Sequence, residues 1–401
     1  EDPRVTKPYS DEQWQRICTL GDEVDAELLQ QDVRLTMGGE PTFVSVDDME
    51  SPQWNTEALG DHKRERAEAL LTRLQAAYAP GSAIQQQQGK WYPGEPLPRW
   101  ALACYWRKDG VPLWRAPQWL ACLETAPKVH VDNTMAQRFT KALSERLGVA
   151  ERYWIPAYED AYYYLWKEQS LPVNVDPREA NLKDDAERHR LARLLEQGLD
   201  EVVGYALPLR HSISQAHRWE SGRWPLKRDH LFLVPGDSPM GLRLPLSALP
   251  WADPEEQPQP ESLFAPRPAL GDIHGEVARR NAEQLHISDA ERLGRSSHPS
   301  PSHPEGEDVQ QQPRAENDRE SGIIHTSLCV EPRDGRLHIF LPPLTSLEHY
   351  LDLLSTVEEC AKELACPVMV EGYSPPRDPR LENFMITPDP GVIEVNIMPA
   401  A

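Results

Sequence analysis

Ile323-Ile324-His325-Thr326-Ser327-Leu328-Cys329-Val330, then Arg333-Asp334-Gly335, then Arg336-Leu337-His338-Ile339-Phe340-Leu341, are two apolar runs joined by an Asp-Gly turn. Such a dipeptide between such runs is a hairpin signal, because its residues tolerate the positive φ of tight turns. Next comes Thr345-Ser346-Leu347-Glu348, a capping-box pattern opening a helix with Leu347, Tyr350, Leu351, Leu354, Val357, Ala361 and Leu364 on one face. Strands Val368 to Tyr373, Asn383 to Ile386 and Val392 to Ile397 follow. Hairpin-linked strands with a packed helix predict an α+β fold whose sheet is largely antiparallel and not doubly wound.

Upstream, Ala67, Leu70, Leu71, Leu74 and Ala77 recur at helical spacing. So do Met135, Phe139, Leu143 and Leu147, and again Leu191, Leu194, Leu195 and Leu199. Strands are expected at Val33 to Met37, Trp100 to Arg107, Glu201 to Leu209, Leu231 to Val234 and Leu242 to Leu246. The tract Gln85 to Gln88 reads as a loop. Residues 252–320 hold no tryptophan and are built from Pro, Glu, Gln, Ser, His and Arg. That composition buries little apolar surface to offset the entropy of ordering, so a disordered insertion is expected, with a short helix around Gly275 to Leu293. The expected organisation is 1–251, the insertion 252–320, and 321–401 completing the same domain.

The 401 residues suffice for a sizeable core. With 64 acidic against 42 basic residues the net charge is -22, which argues against nucleic acid or an anionic membrane as partner. Cys18, Cys104, Cys122, Cys329, Cys360 and Cys366 form no CxxC pair, so neither a zinc knuckle nor a disulfide framework is suggested and a reducing cytoplasm is expected. No apolar run reaches the ~20 residues of a membrane span. A P-loop, a Gly-rich dinucleotide turn, an HExxH zinc helix and a nucleophile elbow are all missing from the sequence.

Chemistry concentrates on a few polar residues. In the last strand Glu394 and Asn396 alternate with Ile393, Val395 and Ile397, putting two oxygen ligands on one face about 6.6 Å apart. Hard oxygen donors suit Mg²⁺ better than Zn²⁺, though a solvated strand face carries the same pattern. Glu371 is a third acidic candidate one strand earlier. Glu40 follows two glycines in Met37-Gly38-Gly39-Glu40-Pro41-Thr42-Phe43, where the backbone can approach a ligand closely or simply turn. Basic candidates for phosphate oxygens are Lys90, Arg243, Arg210, Arg377 and Arg380, the last two in a Pro-rich loop that also reads as an exposed, ion-paired one.

The chain resembles a bacterial family of amidoligases, usually found behind a transglutaminase domain. The stretches that carry the resemblance are Asp32 to Phe43, Gly89-Lys90-Trp91-Tyr92-Pro93-Gly94-Glu95, Pro235 to Leu246 and Gly391 to Ile397, in that order. The resemblance implies a glutamine-synthetase-like fold, a curved antiparallel sheet holding ATP and Mg²⁺, and ligation of a carboxylate to an amine on a peptide or amino acid. It assigns Glu40, Glu394 and Asn396 to metal binding. Family members continue beyond the position of Ala401, so the residues here are expected to form one wall of the active site. Two other readings share these residues: a binding module using the tryptophan-rich first block, and a metal-dependent hydrolase.

Overall fold

The computed structural model describes residues 9–33, 37–95, 98–121, 131–169, 201–212, 219–226, 230–251, 262, 265–282 and 323–400. They fall into two compact units, the first of residues 1–111 with 381–401 and the second of 112–380. The expected boundaries at 252 and 320 lie outside the described residues. The first unit is built from both ends of the sequence, because the last two strands pair with strands formed before residue 111.

In unit 1, helix α1 (Asp11–Gln30) and strands β1 (Met37–Gly39) and β2 (Thr42–Phe43) precede helix α2 (Asp61–Tyr78) and strands β3 (Ala83–Gln88) and β4 (Trp100–Arg107). The sequence reading did not anticipate α1, which opens on a reciprocal capping box between Ser10 and Gln13 and buries no residue. Two C-terminal strands of this unit, Leu381–Asp389 and Val392–Ala400, join by the turn Pro390-Gly391. Gly391 has φ 75°, and a Cβ there would lie 2.9 Å from the Asn55 carbonyl oxygen, so the turn requires glycine. All pairings in this sheet are antiparallel, in the order β1, Val392–Ala400, Leu381–Asp389, β4, β3, with β2 also on Val392–Ala400. Ile84, Leu102, Cys104, Phe384, Ile386, Ile393 and Val395 are buried with Ala67 and Leu71 of α2. Lys63 ties that helix to the hairpin, donating to the carbonyls of Glu57 (2.9 Å), Ala58 (3.0 Å) and Asp389 (2.8 Å).

The glutamine tract is strand rather than loop: Gln85 faces Ala103 and Gln87 faces Ala101 in register with β4. Pairing and burial override the weak strand preference of the residue type, and Gln85 is fully buried.

Unit 2 holds helix α3 (Asn133–Leu147), strand β5 (Ile155–Tyr158), helix α4 (Ala161–Gln169) and strands β6 (Val202–Pro208), β7 (Arg210–His211), β8 (Trp219–Glu220) and β9 (Leu231–Phe232). Helix α5 (273–282), strands β10 (Ser327–Arg333) and β11 (Arg336–Leu341), helix α6 (Leu347–Glu363) and strand β12 (Val368–Gly372) complete it. With Leu381–Asp389 as β13 and Val392–Ala400 as β14, the chain has fourteen named strands among the described residues. The sheet of unit 2 runs β12, β11, β10, β6, β5, β9, with parallel pairing only at β11 with β12 and β5 with β9. The opening hairpin and the capped helix after it are as the sequence indicates, with α6 connecting the parallel strands β11 and β12. The whole is α+β with mostly antiparallel pairing.

Two expectations in this unit change. Leu242 to Leu246 is not a strand but lies between 3-10 turns at Met240–Leu242 and Leu246–Ala248, where Pro239 and Pro245 remove ladder donors. Part of the insertion is packed: Ile273 and Val277 are buried, Arg267 pairs with Asp378 at 2.8 Å and Arg280 with Asp352 at 2.8 Å. Composition alone hid those few anchoring residues. The helix expected over Leu191 to Leu199 lies outside the described residues. No helix among them is long and apolar enough to cross a membrane.

Candidate functional site

Glu394 and Thr387 stand directly opposite one another on β14 and β13, and Asn396 stands opposite Met385. With the next strands in register, Gln85, Gln87, Ala103 and Tyr105 extend this face, the reverse of the one carrying Leu102 and Ile386. Side-chain bonds confirm the shared face: Tyr105 Oη donates to Gln87 Oε1 at 3.0 Å, and Gln87 Nε2 reaches the Met385 sulfur at 2.9 Å. Asn396 Nδ2 donates to Thr387 Oγ1 at 2.8 Å, and Thr387 donates to Glu394 Oε2 at 3.3 Å. The result is a polar row on a sheet whose other side is core.

Lys90 joins the row from the connection between β3 and β4. Its ammonium lies 3.2 Å from Glu394 Oε2 and 3.6 Å from Glu40 Oε1, so it bridges two of the predicted metal ligands. The connection is kept narrow: Gly89 donates to the Arg99 carbonyl at 2.6 Å and Arg99 donates to the Lys90 carbonyl at 3.0 Å. A Cβ on Gly89 would stand 3.0 Å from the Trp100 carbonyl oxygen. Arg99, itself buried, pairs with Glu95 and Asp389 and lies 4.2 Å from the Tyr92 ring, fastening the loop to the β13–β14 turn. The hydrogen bond to Glu394, with the charges of both carboxylates, raises the Lys90 pKa and keeps it an ammonium. Glu394 is 7% exposed, whereas the Glu40 and Lys90 side chains are half open to solvent.

The remaining candidates lie in unit 2 and most are already committed. Glu371 is buried within unit 2 and held by Arg333 at 2.6 Å and His338 at 3.2 Å. Burial pushes its carboxyl pKa up, but the Arg333 and His338 charges and hydrogen bonds outweigh that and hold it at about 2. Arg243 is clamped by both oxygens of buried Glu159, which neutralises it. Arg210 pairs with Glu220 at 3.0 Å. Arg380 is spent on Asp378, Glu348 and the Pro268 carbonyl, while Arg377 is exposed. Arg243 is decided by a partner 84 positions away, whereas Arg380 and Arg210 pair with nearby Asp378 and Glu220.

Sequence reasoning missed Thr387, Gln85, Gln87 and Tyr105. Gln85 and Gln87 lie in an unbroken run of four glutamines that carries no strand alternation, and Thr387 and Tyr105 needed the cross-strand register. No curated protein and no solved structure matches the chain. Residues 1–401 match throughout, and the chain belongs to, the family described as "Putative amidoligase enzyme (DUF2126)".

Proposed function

We propose that the protein is an ATP- and Mg²⁺-dependent carboxylate–amine ligase acting on a peptide or amino acid, with the polar face of unit 1 as its phosphate and metal wall. The observation that carries this is the Lys90 ammonium held between Glu394 and Glu40, beside Thr387 and Asn396. In such a ligase the γ-phosphoryl group passes to a substrate carboxylate oxygen, giving an acyl phosphate and ADP. An amine then attacks the acyl carbon, and phosphate leaves as the amide forms.

The donor set fits the cation. Mg²⁺ takes one or two protein carboxylates, completing its shell with phosphate oxygens and water. Glu394, Glu40 and the Asn396 amide offer that, while no group of three or more His, Cys, Asp or Glu suited to a metal occurs among the described residues. Bound Mg²⁺ supplies neutralisation of the charge on the transferring phosphoryl group. Glu394, fixed by Thr387, orients the wall; Lys90 turns from its carboxylates to a phosphate oxygen; Asn396 is aligned by its bond to Thr387.

Calorimetric titration with Mg²⁺·ATP tests the wall. We expect Glu394→Ala to weaken binding at least about tenfold, the loss of one charge-assisted contact, and Glu40→Ala to weaken it less because Glu40 is more exposed. Unchanged affinity in both variants removes these residues as ligands. ADP release that requires both a carboxylate donor and an amine tests the reaction.

A further inference from the structure

Helix α1 carries Trp14, Ile17, Gly21, Val24 and Leu28 at alternating spacings of three and four, the pattern of a coiled-coil seam along one face. A helix of a folded domain turns such a face to the core. This one does not. No residue of α1 is buried, and Trp14, Ile17 and Val24 are 57%, 43% and 45% exposed. Tyr9, itself exposed, stacks beside Trp14 with ring centroids 6.3 Å apart and carries the apolar surface past the start of the helix. Exposed apolar residues scattered singly are ordinary, whereas a continuous stripe edged by charge marks an interaction surface.

Gly21 is an independent sign of what covers the stripe. A glycine inside a helix costs stability, and a Cβ on Gly21 would meet nothing within 4 Å, so no close neighbour among the described residues requires it. Its effect is a notch midway along the seam, where a side chain from a facing helix can seat between Ile17 and Val24. Charge then selects the partner. Six acidic residues of α1 stand against one basic residue, Arg16, with Asp25 and Glu27 on opposite flanks of the seam. A second copy of the chain would set the same acids against each other. An anionic membrane surface would repel a chain of net charge -22.

We infer that the seam of α1 docks a basic amphipathic helix of a partner protein, an apolar stripe flanked by Lys and Arg. Such a helix covers Trp14, Ile17, Val24 and Leu28, seats a bulky residue at Gly21 and sets cations beside Asp25 and Glu27, the pairing of a two-stranded coiled coil. Helices draw most of their stability from packing an apolar face, which α1 obtains from this partner. The proposed nucleotide wall uses no residue of α1, so the inference stands apart from it.

The full chain is titrated, at about 0.1 M salt, into a fluorescein-labelled synthetic peptide that repeats Lys-Leu-Ala-Ala-Leu-Lys-Ala three times, and into its twin with Glu for Lys, with anisotropy as the readout. Saturable binding of the basic peptide and none of the acidic twin is expected. Ile17→Asp is expected to weaken binding at least about tenfold, the scale of losing a central contact, although it adds a negative charge that would strengthen a merely electrostatic association. Thr19→Asp adds the same charge on the reverse face, where the Thr19 hydroxyl bonds back to the Gln15 carbonyl, and is expected to keep the affinity within about twofold. An unchanged Tm and helical circular dichroism show that the variants fold, and if Ile17→Asp does not, Val24→Asp decides in its place. No saturable binding of the basic peptide, equal binding of the acidic twin, affinity unchanged in Ile17→Asp, or Thr19→Asp as weak as Ile17→Asp overturns the inference. So does a dimer in sedimentation velocity that Ile17→Asp dissolves, which makes a second copy the occupant, or binding to phosphatidylserine vesicles that Ile17→Asp abolishes, which makes it a membrane.

Discussion

Lys90 occupies the space a divalent cation would take between Glu394 and Glu40, so in the proposed wall the ammonium and the metal compete for the same oxygens until a phosphate draws the ammonium away. Removing the ammonium separates the two roles. Lys90→Met is expected to tighten binding of Mn²⁺, as a probe of the Mg²⁺ site, by about tenfold without nucleotide, since a competing charge-assisted contact is gone. The same change is expected to weaken Mg²⁺·ATP. Mn²⁺ titration followed by electron paramagnetic resonance checks the first effect, and weaker Mn²⁺ binding in the variant refutes the competition. At this scale Glu40, Glu394, Asn396 and Lys90 were readable one at a time from glycines, alternation and charge. Their convergence was not, because Lys90 and Glu394 are 304 positions apart.

Strands β10, β11 and β12 carry Glu331, Arg333, His338 and Glu371 into one buried charge network. Glu371 has its folded pKa at about 2 against 4.5 for the free side chain, so its contribution is fully present above pH 4.5 and is lost as pH falls towards 2. The shift corresponds to about 3 kcal/mol as an upper scale. Glu331, shifted up, acts in the opposite sense, favouring the folded state as pH falls through its raised pKa towards 4.5. Urea unfolding from pH 6 to pH 2.5 is expected to show a steep loss of stability below pH 4.5 in the wild type and a shallower one in Glu371→Gln. Parallel curves would show that Glu371 is not the group titrating. These strands and α6 were legible because hairpin chemistry, a cap and unbroken apolar runs agree locally. β3 was not, since polyglutamine becomes a strand only when β4 supplies the partner, nor was the Leu242 to Leu246 region, where two prolines override an apolar alternation.

On the scale of the molecule, the discontinuous first unit and the partly packed insertion share a cause. Long-range pairing, not local composition, sets what belongs together. Within unit 2 the acids of α6 do this for the insertion: buried Asp352 accepts from Trp219 Nε1 at 2.8 Å and from Arg280 at 2.8 Å, and buried Glu358 accepts from the backbone N–H groups of Arg115 and Ala116 at 2.9 and 2.7 Å. His274 of α5 lies 3.5 Å from Glu358 as well, so one helix holds α5, β8 and the chain near residue 115. Asp352→Ala leaves a buried indole N–H without an acceptor and the Arg280 guanidinium with only the Thr356 hydroxyl, and is expected to cost about 3 kcal/mol, the scale for breaking a buried charged pair. Arg280→Ala is expected to cost less, because Asp352 keeps the indole and Arg280 is the more exposed partner. Thermal unfolding gives the order of the two variants, and limited trypsin digestion is expected to open the chain at Arg279 or Arg280 faster in Asp352→Ala than in wild type. Equal digestion with an unchanged Tm would mean that α6 does not hold the insertion in place.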